Sequence, residues 1–331
     1  MKKLLSVLLA CVLLALALSL GSCGAKKEKI LIYTSAEDFR VDLLRSMLKE
    51  KFPQYDVTIE YMSTGDHAAK LIAEGTATAC DITYDLEYGY LTVLEKANGL
   101  ADLSGIADFS LYPEEIVHGT HYLPEVRNGG AVIVNTELLA EKGLPEPASY
   151  EDLLKPEYKS LVSMANPKSS GTGYMFLLNL VNARGEEAAF SYFDKLSENV
   201  LAFTSSGSGP VNALLQKEAA VGLGMTSQAV QKINTNNAPL KILFFPEGSP
   251  YSMYGQAIIR GKETREAVVE VFRYISTEVS RQMCERFYPE LIFKDTDYTK
   301  KIENFPQGIV YGDMKNSTPE EKERLLAKWT H

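Results

Sequence analysis

Four short stretches of this sequence gather hydroxyl side chains at points where an apolar run hands over to a helical one. They are Thr34-Ser35, Ser169-Ser170-Gly171-Thr172-Gly173, Thr204-Ser205-Ser206-Gly207-Ser208-Gly209-Pro210 and Thr226-Ser227. Ser and Thr donate hydrogen bonds, Gly lets the backbone come close to a ligand, and the first N–H groups of a helix are unsatisfied and carry about half a positive charge. That combination is the chemistry of an anion site. Ser and Thr are also the ordinary N-cap residues. Ser35-Ala36-Glu37-Asp38 has the order of a capping box with Asp in its last place, and Gly209-Pro210 sets Pro at a helix start. Four turns in one chain, two of them carrying more hydroxyls and glycines than capping uses, favour the ligand reading.

An acidic and aromatic cluster, Asp81, Tyr84, Asp85, Glu87 and Tyr88, follows a strand-like run. A carboxylate beside an aromatic face suits an ammonium group, while the plain alternative is a solvated helix start with packed tyrosines. Tyr84 and Asp85, first after the strand, are the candidate contacts. Tyr254 offers a ring to stack on a ligand or to fill a core. The four His stand at 67, 118, 121 and 331, and no Cys-x-x-Cys occurs, so no zinc spacing is present. A Gly-x-Ser-x-Gly elbow, a P-loop, a His-Glu-x-x-His pair and Rossmann glycine spacing are all missing from the sequence. The expectation is a binding protein rather than an enzyme, with no cofactor and no metal.

The elements that must position these residues alternate. Strand-like runs at 29–33, 57–61, 81–83, 129–135, 161–164, 201–203, 221–224 and 256–261 are separated by helical patterns. These helices run over 39–52 and 68–73, then start at Tyr174, Val211 and Gln228. Such an order predicts α/β architecture with parallel sheets. Two further helices, 263–276 and 278–288, return toward the first half, and Pro319-Glu320-Glu321 before Leu325, Leu326 and Trp329 predicts a capped amphipathic helix.

The 331 residues include 34 Lys+Arg against 43 Asp+Glu, a formal charge of −9, with 45% hydrophobic residues. The acidic balance lacks the footprint of a nucleic-acid binder, and the length suits about two domains. Lys2 and Lys3 precede an apolar stretch over 4–20, and then Leu20-Gly21-Ser22-Cys23 resembles the lipobox of bacterial lipoproteins. That resemblance implies a signal peptide over 1–22, lipid on Cys23, a tether over 23–29 and an extracytoplasmic body. An uncleaved anchor is the alternative. Cys80 and Cys284 are left either to pair or to stay as separate buried thiols.

Three stretches resemble, in order and spacing, the extracellular solute-binding proteins of ABC importers: Asn166-Pro167-Lys168-Ser169-Ser170-Gly171-Thr172-Gly173-Tyr174, Ser206-Gly207-Ser208-Gly209-Pro210, and Tyr254-Gly255-Gln256-Ala257-Ile258-Ile259-Arg260-Gly261. The matching branch includes ferric-iron, 2-aminoethylphosphonate, sugar-phosphate and thiamine binders. The run from Leu153 to Lys159 is similar to the family's segment before the second lobe's first strand. The resemblance implies a type 2 periplasmic-binding-protein fold, two lobes of mostly parallel sheet flanked by helices that close on a ligand. The lobes would be 30–125 and 126–253, with 254–331 returning to the first lobe and ending in helices.

By position it implies Thr34, Ser35, Tyr84 and Asp85 as first-lobe contacts. The second lobe would supply Ser170, Gly171, Thr172, Ser206, Gly207, Ser208, Thr226 and Ser227. Ferric members resemble one another in adjacent tyrosines at the start of the helix after the second lobe's fourth strand, where this chain has Thr226-Ser227. The expected solute is therefore a phosphonate or phosphate ester, and an aminoalkylphosphonate would set its amine on Asp85 or Tyr84. A ferric ion held through an accessory anion and a polyamine held by Asp81, Asp85 and Glu87 are the alternatives. The partners implied are an ABC permease and its ATPase subunits, for a monomeric, membrane-tethered protein.

Overall fold

A computed structural model describes residues 27–288, 292–295 and 302–331. The signal segment, Cys23 and most of the tether lie outside the described residues. Among those described, no helix is long and apolar enough to cross a membrane.

The first half runs β1 (Glu28–Thr34), α1 (Asp38–Lys51), β2 (Tyr55–Tyr61), α2 (Thr64–Glu74), β3 (Ile82–Glu87) and α3 (Tyr88–Lys96). It continues through β4 (Leu123–Asn135) into α4 (Thr136–Lys142), β5 (Val162–Ala165), α5 (Gly171–Arg184), α6 (Glu186–Ser197) and β6 (Val200–Thr204). There follow α7 (Gly209–Leu215), β7 (Val221–Met225), α8 (Thr226–Asn236), β8 (Leu240–Leu243), β9 (Tyr251–Ile258), α9 (Glu266–Tyr274), α10 (Ser280–Arg286) and α11 (Pro319–Leu326). The strands join in the order β2-β1-β3-β9-β4-β7-β5-β6, with β8 on β4. β1, β2 and β3 are mutually parallel, as are β5, β6 and β7, while β4 and β9 run antiparallel to their neighbours.

β4 passes from one lobe to the other, alongside β9. Its residues up to Gly129 pair with β9, whereas Gly130 to Val134 pair with β7. The switch falls between two adjacent glycines, and the Gly130 amide donates to Pro250 O at 2.8 Å. β4 and β9 begin earlier than hydrophobic pattern alone indicates. Their leading residues, Pro124 and Asn128 among them, break apolar alternation because they cross between lobes instead of lying within one. The two helices expected over 263–288 form one nearly continuous run, since a π-helical segment, Ile275–Val279, links α9 to α10.

Each lobe has its own core. Ile30, Ile32, Leu44, Ile82, Val271 and Phe272 pack in the first, and Val162, Met164, Phe176, Leu177, Phe193 and Leu223 in the second. Cys80 and Cys284 are buried in different first-lobe clusters with no disulfide between them, and the Cys80 thiol donates to Ile82 O. α11 has the cap its sequence predicts, Thr318 accepting from the Glu321 amide with Pro319 in the first turn. Its apolar residues join the second lobe's core, where Trp329 meets Phe193 and Phe203 edge to face.

Trp329 is 1% exposed although two residues from the C-terminus. Trp329→Ala is expected to destabilise the protein by about 3–5 kcal/mol, the cost of emptying a large aromatic site, measured by denaturant unfolding. An unchanged midpoint would mean that the terminus contributes nothing to the core.

Candidate functional site

The strand-to-helix turns of both lobes meet at one narrow cleft. The first lobe lines it with Ser35, Glu37, Tyr61, Ser63, Thr64 and Asp85, the second with Ser170, Thr172, Ser206, Gly207, Ser208 and Met225, and the crossing strands with Asn128 and Tyr254. The lobes are shut: the Tyr61 hydroxyl lies 2.8 Å from Ser206 Oγ, and the Gly65 amide donates to Ser169 O at 3.1 Å. About 20 Å³ remains between the walls, room for roughly one water.

On the second-lobe wall the hydroxyls are not used as helix caps. Ser170 occupies the N-cap of α5 and Ser208 that of α7, yet neither side chain accepts a capping hydrogen bond, and α8 follows Met225 without one. The capping-box order at Ser35 does not form either: Glu37 is the N-cap of α1, and the Ser35 hydroxyl donates instead to Asp85 O. Ser170 and Thr172, at the start of α5 where the first N–H groups have no intrahelical partner, line the cleft, and beside them the Ser206 and Ser208 hydroxyls lie 3.0 Å apart and bond to each other. Two glycines permit this close assembly. A Cβ on Gly171 would stand 2.2 Å from the Tyr254 hydroxyl, and one on Gly207 would stand 2.3 Å from Thr172 Oγ1.

The first-lobe wall carries the opposite sign. β3 breaks register against β9 between Thr83 and Leu86, and Asp85 adopts φ +58°, a left-handed conformation that Asp tolerates better than most residues. This bulge turns Asp85 toward the cleft. Beneath it lies Arg40, fully buried on α1, whose Nη2 sits 2.7 Å from Asp85 Oδ1 and 2.5 Å from Glu125 Oε2 while Nη1 donates to Glu37 Oε2 at 2.9 Å. The Tyr84 hydroxyl donates to Glu125 at 2.6 Å and Tyr288 to Glu37 at 3.2 Å, with both rings against the guanidinium. Three carboxylates thus share one cation. Burial pushes the Asp85 carboxyl well above the usual carboxylate range; Arg40 opposes the rise and the Glu125 and Glu37 charges add to it.

Of the residues expected from sequence, Ser35, Asp85, Ser170, Thr172, Ser206, Gly207, Ser208 and Tyr254 line the cleft. The other five do not line it. Thr34 accepts the Ala36 amide in the turn, Tyr84 is spent on Glu125, and Gly171 lies under Tyr254. Thr226 and Ser227 are buried in the first turn of α8, at the end of β7, with Ser227 beside Tyr288. Glu37, Tyr61, Ser63, Thr64, Asn128 and Met225 line the cleft without having been singled out. The β2-to-α2 turn, Tyr61 to Thr64, obeys the same strand-to-helix rule that found the other four. Buried His67, on α2, faces Thr83 Oγ1 at 3.0 Å and is held neutral, its pKa lowered to about 3 by burial.

Because its pKa is raised on folding, ionising Asp85 costs stability, and that cost grows as pH rises from about 3.9, the unfolded value, through the folded one. Asp85→Asn keeps Arg40 paired with two carboxylates and removes this cost. It is expected to raise the melting temperature at pH 7–8, with a gain that shrinks toward zero near pH 4. A melting temperature lowered at pH 8 would contradict the sign.

A Haemophilus influenzae protein is 29% identical over 271 residues, covering 78% of this chain and 75% of its own. A Salmonella typhi periplasmic protein assigned to 2-aminoethylphosphonate binding is 26% identical over 171 residues, 45% of this chain and 49% of that one. In structure, the periplasmic binding protein AfuA of Actinobacillus pleuropneumoniae, bound to fructose-6-phosphate, superposes with a TM-score of 0.78 at 22% identity, covering 92% of this chain and 98% of that one. The fold is that of the type 2 periplasmic binding proteins. Residues 111–305 match the family described as bacterial extracellular solute-binding protein, and the chain belongs to that family.

Proposed function

We propose that this solute-binding protein captures a small phosphonate or phosphate ester that also carries an ammonium group, and presents it to an ABC permease. The observation that carries this reading is the division of charge across the cleft. The uncapped hydroxyls and the α5 N-terminus on one wall offer donors to a phosphoryl group, in the manner of helix-start anion sites. Asp85 and Glu37 on the other wall offer a carboxylate face, with Tyr61 and Tyr254 beside it. An anion set against that wall would meet a surplus of like charge, so the phosphoryl end belongs on the second lobe and the amine on the first. Both ends contact different lobes, and a solute that does so stabilises the shut arrangement over the open one. The 2-aminoethylphosphonate assignment of one relative fits this chemistry.

Mechanistically, entry requires the lobes to part, since the shut cleft holds about one water. The ligand first meets the wall whose donors suit it and is enclosed when the second wall arrives. The Leu20–Cys23 motif supports a lipid-tethered chain outside the cytoplasm. Cys23→Ser is expected to move the protein from the membrane fraction to the soluble one, and its retention in the membrane would count against lipidation at that residue.

Calorimetry with 2-aminoethylphosphonate tests the ligand reading. Ser170→Ala with Ser208→Ala removes two donors to a charged group, each contributing about 1.5–3 kcal/mol, and is expected to weaken binding by about 100-fold or more. A polyamine such as spermidine, by contrast, should bind the double variant as it binds the parent. Binding of 2-aminoethylphosphonate undiminished in the double variant would overturn the assignment of its phosphonate to this wall.

A further inference from the structure

The last helix touches both lobes. α11 is fixed to the second lobe by Leu325 and Trp329 in its core, and by Arg324 and Lys328, which pair with Glu186 on α6. Lys322 on the same helix turns the other way. Its Nζ lies 2.5 Å from Glu87 Oε2, with the two side chains only 6% and 3% exposed. Glu87 ends β3 in the first lobe, two residues past Asp85, pairs with Tyr254 of β9, and accepts the Gly89 amide at the start of α3. The same ammonium stands 3.9 Å from the ring centre of Tyr90 in the first lobe and 4.7 Å from that of Tyr174 in the second, four residues past Ser170. On the surface, Lys96 of α3 and Glu320 of α11 make a second contact between the same two helices at 2.8 Å.

We infer that α11 is a clasp across the lobes, riding with the second lobe and making its Lys322–Glu87 pair in the shut arrangement but not in the open one. Glu87 and Tyr174 belong to opposite lobes, so parting the lobes draws Lys322 away from Glu87 and lets water reach both charges. In the shut arrangement each charge is buried, and a buried charge is tolerated only while its partner is present. The pair therefore couples closure to a site outside the ligand cleft, and removing one member tips the free protein toward the open arrangement. This holds whatever the solute is.

The test needs no ligand. The Gly65 amide, bonded to Ser169 O across the cleft, reports opening directly through its hydrogen exchange in the unliganded full-length protein. Lys322→Met and Glu87→Gln each leave one buried charge alone. Each is expected to speed Gly65 exchange by at least about tenfold while core amides of α5 keep their parent rates. The combined variant E87Q/K322M, which leaves no lone charge, should return toward the parent rate, as should Lys322→Arg. Parent-like Gly65 exchange in either single variant that folds would overturn the clasp. So would acceleration spread equally over the α5 core, which is the mark of a merely structural defect.

Discussion

A single buried guanidinium that faces more carboxylates than it can neutralise governs the character of the cleft. Arg40 sits on α1 and draws Glu37, Asp85 and Glu125 onto two of its nitrogens, although these residues come from three separate segments. Without the cation, three carboxylates could not share a dry site. With it, the wall stays net negative when all three are ionised. That surplus is what a solute must answer, and it confines any phosphoryl group to the opposite wall, where the donors are neutral hydroxyls and backbone N–H groups.

Geometry and charge support each other. The bulge in β3 and the left-handed Asp85 bring a carboxylate to the cleft surface, while the Ser35 hydroxyl ties the bulge down by donating to Asp85 O. Within the second-lobe wall Gly207 lets Thr172 come close, and Gly171 lets Tyr254 of the crossing strand do the same, while Tyr61 with Ser206 and Gly65 with Ser169 hold the two walls nearly in touch. Such a cleft binds by closing. Interactions outside it that favour the shut arrangement, like those of the C-terminal helix, therefore act on affinity without touching the solute.

Much of this was legible in the sequence. Alternating runs gave the parallel strands of each lobe, the hydroxyl-rich turns from Ser170 to Thr172 and from Ser206 to Ser208 reached the cleft, and Pro319 with the acidic residues after it marked the last helix. What stayed hidden depends on contacts far apart in the chain. Arg40 lies in an amphipathic helix, where a lone Arg reads as a solvated residue, and Glu125 lies in a polar stretch that turns out to be the start of a crossing strand. Neither shows a local pattern, because their partnership exists only once β3, β4 and α1 are assembled. Thr226 and Ser227 illustrate the reverse case: the local pattern matches the other turns, but both are buried in the first turn of α8, Ser227 beside Tyr288, and neither lines the shut cleft.

The central claim is that the two walls recognise opposite charges on one solute. Titration calorimetry of the parent protein with 2-aminoethylphosphonate, ethylphosphonate and ethylamine, under one buffer and salt, tests it most directly. The account predicts that the molecule bearing both groups binds at least about tenfold more tightly than either of the others, a difference of about 1.4 kcal/mol or more. Equal affinity for ethylphosphonate and its amino derivative would show that the carboxylate wall takes no part in recognition, and would contradict it.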